Sequence, residues 1–88
     1  MTIVPVEKVP GYYVRELVVG EMLPLMDMDD RARGLRMVEL ATCDAHGHRM
    51  MVDGEGLQLP WSKFLPLLQA INLVNGMGEE DVEAAEGN

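Results

Sequence analysis

Cys43, Asp44, His46 and His48 fall within six residues and are the one cluster in this 88-residue chain with ligand-type side chains. A zinc site needs three or four thiolate, imidazole or carboxylate ligands at workable spacing. Cys-x-x-His-x-His offers three, and no second cluster elsewhere closes the site. A thiol nucleophile at Cys43 needs a histidine in hydrogen-bonding geometry and a third group to orient it; neighbours in a turn rarely provide either. Asp44-Ala45-His46-Gly47 has a turn composition, so exposed histidines are expected and no metal. The chain carries no glycine-rich phosphate loop, no Gly-x-Ser-x-Gly and no His-Glu-x-x-His. No catalytic residue, cofactor or metal is expected, which leaves a non-enzymatic binding role.

The strongest pattern lies in residues 60–76. Pro60 suits the first turn of a helix and Gly76 the left-handed position past its end. At about 100° per residue, Trp61, Phe64, Leu65, Leu67, Leu68, Ile71 and Val74 share one broad side. Ser62, Lys63, Pro66, Gln69 and Ala70 occupy the other side, where Leu73 is stranded. The apolar arc covers roughly half the circumference, wider than one neighbour requires. This helix is therefore expected to touch both its own core and a partner.

Upstream, Ile3-Val4-Pro5-Val6 reads as an edge strand, because proline cannot donate to a ladder. Pro10-Gly11 occupies the centre of a type II turn, and Tyr12 to Val19 is rich in β-branched and aromatic residues. An N-terminal β-hairpin follows. Gly20 to Met26 predicts a helical turn or two, with Pro24 tolerated only in the first turn. Asp27 to Asp30 supplies caps for a helix through about Thr42. Its buried stripe is Met28, Ala32, Leu35, Val38, Ala41 and Thr42, and Arg31, Arg33, Arg36 and Glu39 lie away from it. Three arginines in six residues fit a solvated helix face better than an acid-binding patch. Arg49 to Val52 predicts a short extended piece, Asp53-Gly54-Glu55-Gly56 a turn, and Glu55 to Leu59 a helical turn.

The fold class expected is α+β: a β-hairpin against about three helices, helix-dominated, with residues 1–77 as one small domain. The predicted core is Val14, Leu17, Leu23, Leu35, Val38, Leu40, Trp61, Phe64, Leu65, Leu68 and Ile71. Net charge is −8, five of it from Glu79, Glu80, Asp81, Glu83 and Glu86, so residues 78–88 predict an acidic disordered tail. The remaining −3 is close to balance and disfavours a nucleic-acid partner. One cysteine is compatible with a reducing cytosol, and neither a membrane span nor a signal peptide is evident. Eight methionines suit an irregular core or an adaptable binding surface. Met22, Met26, Leu67, Leu73, Val74 and Met77 are expected to form a partner-binding surface. The simpler alternative is that they pack the core or a homo-oligomer interface.

Val14-Arg15-Glu16-Leu17-Val18-Val19-Gly20-Glu21 ends the hairpin and opens a short helix. An arginine-bearing helix follows, then an Asp-x-x-Gly turn, then Leu59-Pro60-Trp61 opening a helix that closes on Ala70-Ile71-Asn72-Leu73-Val74-Asn75-Gly76. Over residues 12–77 this order resembles the small tail assembly chaperones of long-tailed bacteriophages and prophages. The resemblance implies a non-enzymatic protein of the host bacterial cytoplasm. Such chaperones coat the helical tape measure protein, keep it soluble and help recruit tail tube protein around it. They are typically absent from the finished virion. In several relatives a frameshift near the end of the gene makes a longer form, and the acidic run from Gly78 is compatible with such a junction. The competing expectation is a small acidic regulatory or inhibitory protein that occupies a basic surface of a host protein. Deleting residues 78–88 discriminates, since only charge-driven binding depends on them.

Overall fold

The computed structural model describes residues 2–76. Met77 and the acidic run therefore lie outside the described residues. A three-stranded antiparallel sheet in the order β1-β2-β3 packs on helices, as an α+β fold.

β1 (Ile3–Pro5) pairs with β2 (Tyr13–Arg15) in the register Val4 opposite Val14. The turn between them places Gly11 at φ +87°, a conformation glycine adopts without a Cβ penalty. β2 stops well short of Val19. The Leu17 N–H is taken by the Asn75 side-chain oxygen at 2.7 Å, and the Val18 N–H by the Glu21 carboxylate at 3.1 Å. With both donors drawn off the ladder, the chain turns into α1 (Val19–Met22). Arg15 fixes that corner by gripping both Glu21 oxygens, at 2.9 and 2.6 Å.

A 3₁₀ turn, Leu23–Asp27, starts with Pro24 in its first turn. Its three residues per turn shift the phase, so Leu25 enters the core and Leu23, expected there, is exposed. α2 (Asp30–Ala41) is capped by Asp29, whose carboxylate accepts the Ala32 N–H at 2.8 Å. It runs directly into β3 (Thr42–Cys43), a strand the sequence did not predict, which pairs with β2 at Tyr13 and Val14. A second 3₁₀ turn, Glu55–Gln58, leads to α3 (Trp61–Val74), with Pro60 as its cap and Gly76 left-handed at φ +84°.

The core gathers Val14, Leu25, Val38, Ala41, Leu67 and Ile71 from the sheet, the 3₁₀ turn and both long helices. Further sequence expectations are corrected by the structure, among them Met28 and Ala32 of the α2 stripe, which are exposed. The core meets α3 at one edge of its apolar arc, so Trp61 and Leu65 are exposed. That rotation buries Leu67 completely, which removes it from any partner surface. Glu39, expected on the solvent face of α2, is buried with 3% of its surface exposed. Met37, outside the predicted stripe, is buried as well.

Candidate partner-binding groove

Gly34 sits in mid-helix, where glycine costs about 1 kcal/mol relative to alanine. A Cβ there would meet the Leu68 methyls at 3.6 and 3.8 Å, ordinary contact, so α2 and α3 lie close at this level. The first turns of both helices and the 55–58 turn line the space beside this contact. The result is an apolar groove of about 640 Å³ lined by Ala32, Leu35, Leu57, Leu59, Trp61 and Phe64. Trp61 stacks on Phe64 with ring centroids 5.6 Å apart, yet stays 68% exposed, and Leu57 is 75% exposed. The groove is an open trough, and Arg31 is the one charged side chain lining it.

A polar lock fixes the position of Leu57. One carboxylate oxygen of Glu39 accepts the N–H groups of Gly54 and Gly56 at 2.7 and 2.9 Å. Gly54 has φ +93°, a value that turns the loop back onto the helix and is strained for residues with a Cβ. At Gly56 a Cβ would lie 2.8 Å from a Leu35 methyl and 2.9 Å from the Glu39 side chain, so only glycine fits against α2. Asp53 accepts from both Arg36 and Arg49, which holds its carboxyl below the usual aspartate range. The Arg49 Nε–H also donates to the Glu39 carbonyl at 2.9 Å. Glu55 closes the turn by accepting the Val52 N–H.

The Cys-His cluster is arranged differently. Cys43 is wholly buried, and burial pushes its thiol upward, away from the reactive thiolate. His46 and His48 are exposed at the tip of the turn after β3. Asp44 is spent on the turn itself, accepting the His46 and His48 N–H groups at 2.8 and 3.0 Å. Those bonds hold its carboxyl below the ordinary range. Among the described residues no three such side chains converge to hold a metal.

The six residues expected to bind a partner separate into distinct environments. Met26 and Leu73 are exposed, at 67% and 59%. Met22 and Val74 are half-buried against the core, Leu67 is inside it, and Met77 lies outside the described residues. Leu57, Trp61 and Arg31, which line the groove, were not among the six. Val18, Val19 and Leu23 add exposed apolar surface around α1. Among the described residues no helix is long and apolar enough to cross a membrane. No family model, curated protein or solved structure matches this chain.

Proposed function

We propose that this chain is a tail assembly chaperone of a long-tailed bacteriophage or prophage, acting without enzymatic chemistry in the host cytoplasm. Its client is the tape measure protein, whose long helices are insoluble without cover, and the complex helps recruit tail tube protein. The observation that carries this reading is the groove between α2 and α3, with Leu57 and Trp61 left uncovered on its rim. Helix-in-groove recognition works by seating apolar side chains at i, i+3/i+4 and i+7 in such a trough. A trough of leucine, tryptophan and phenylalanine grips by shape and apolar area rather than sequence, which suits a client of repetitive helix.

The test is co-expression with the tape measure gene of the same phage or prophage. Wild-type chain should raise the soluble fraction of the tape measure protein and co-purify with it. Trp61→Ser, which leaves the core untouched, should lose both effects. No co-purification and no gain in solubility with the wild-type chain would reject the proposal.

A further inference from the structure

We infer that the groove selects amphipathic helices that carry a carboxylate beside their apolar anchors, and that Arg31 reads that charge. The inference rests on the proposed helix-binding role and adds the chemical class of the guest.

Every other arginine in the chain already holds an acid. Arg15 pairs with Glu21 at 2.6 Å and Arg33 with Asp30 at 2.9 Å, while Arg36 and Arg49 share Asp53. Arg31 has no ion pair among the described residues, is exposed, and lines the groove. The acids nearest it in the chain are engaged, Asp29 in capping Ala32 and Asp30 with Arg33. Arg31 also sits in the first turn of α2, where the helix dipole disfavours a cation and favours an anion. A guest carboxylate at the edge of the groove can meet the Arg31 guanidinium, which no acid among the described residues holds.

The shape selects the class. A pocket for a small amphiphile encloses most of its ligand, whereas this trough leaves Trp61 and Leu57 open along one side. A helix brings its own second face to water and needs no lid. The full chain carries a net charge of −8, so its distant field repels an acidic guest, and the preference must come from contact at Arg31.

The experiment titrates two synthetic helical peptides of roughly 16 residues into the full chain, following the fluorescence of Trp61, its only tryptophan. Both peptides carry leucines at i, i+4 and i+7. One has glutamate at each end of the stripe, the other glutamine. At about 0.15 M salt, which screens the chain's distant charge beyond about 8 Å, the glutamate peptide should bind about three- to fivefold more tightly, the scale of a rim ion pair. The difference should vanish in Arg31→Gln and at about 1 M salt. Equal affinities in the wild-type chain would overturn the inference and leave the groove-binding role standing. No binding by either peptide would overturn both. Sedimentation that shows groove-dependent self-association, abolished by Trp61→Ser, would make a second copy the occupant and overturn the inference. Decanoate that binds with the same Arg31 dependence and displaces the peptides would do so in favour of a small amphiphile.

Discussion

Replacing Glu39 by glutamine keeps an acceptor oxygen in place and removes the charge. In the native protein that carboxylate holds two backbone N–H groups, Gly54 at 2.7 Å and Gly56 at 2.9 Å. Hydrogen bonds to a charged acceptor contribute about 1.5–3 kcal/mol each and neutral ones about 0.5–1.5. The substitution should therefore cost about 2 kcal/mol. A chain of 88 residues has roughly 4–13 kcal/mol in total, so this is a sizeable share and still leaves a folded protein. For a domain of this size the melting temperature should fall by about 8–16 °C.

Urea denaturation followed by far-UV circular dichroism measures the loss, and Trp61 fluorescence reports the groove separately. Gly56→Ala pushes the same loop from the other side, through a Cβ under 3 Å from Leu35 and Glu39. It should cost about 1–3 kcal/mol. Because both variants release one loop, the double variant should lose less than the two separate losses added. A Glu39→Gln midpoint within about 0.5 kcal/mol of wild type, with unchanged denaturant slope, would refute the lock.

Leu67→Ala, which empties a fully buried position, should destabilise the fold by about 2–5 kcal/mol, while Leu73→Ala at an exposed one should fall within about 0.5 by the same urea assay. Asn75→Ala strands the Leu17 N–H and frees the end of α3, and should cost about 1–2 kcal/mol in thermal or urea unfolding. Thr42 buries a hydroxyl with no hydrogen-bond partner among the described residues, so Thr42→Val should raise the melting temperature by several degrees in calorimetry. Arg15 and the Val18 N–H hold the Glu21 carboxyl below its ordinary value near 4.5. A lowered acid stabilises above its unfolded pKa and loses that contribution as pH falls through its folded one, so stability should drop below about pH 4.5. In a pH series of urea midpoints, Arg15→Gln should flatten that acid limb.

Local rules that act within a few residues were legible in the sequence. Pro10-Gly11, Asp29 before α2, and the Pro60 and Gly76 limits of α3 all declare themselves through backbone chemistry. What depended on a distant partner was not. The end of β2 is set by Asn75, 58 residues beyond Leu17, and nothing near Leu17 announces it. The helical wheel of α3 gave the right arc and placed Ile71, Phe64 and Leu68 against the core. It misassigned Trp61, Leu65 and Leu67, because a wheel records which side is apolar and not which part of that side meets the core. Leu67 and Trp61 exchanged roles on that account. Glu39 did leave a trace, as a lone acid within Met37-Val38-Glu39-Leu40-Ala41. An acid so surrounded needs donors, and Asp53-Gly54-Glu55-Gly56 supplies them once its glycines are read as bare N–H groups rather than as a generic turn.

A groove lined with tryptophan and leucine will close if its walls can move inward, since covering both Leu57 and Trp61 would gain about 3–6 kcal/mol at about 1.5–3 for each. Here the movable wall is the 55–58 turn that carries Leu57. Pulling it inward would break two hydrogen bonds to a buried carboxylate, about 3–6 kcal/mol, besides the arginine contacts of Asp53. The two hydrogen bonds alone match that gain, and the Arg36 and Arg49 contacts of Asp53 add to them, which favours the open trough. The guest helix proposed above would escape that balance, because it would cover Leu57 and Trp61 with apolar surface of its own and leave Glu39 undisturbed. The polar cluster and the apolar groove are thus coupled: the first keeps the second from satisfying itself, and under the proposed function that leaves the groove for a guest of matching shape and charge.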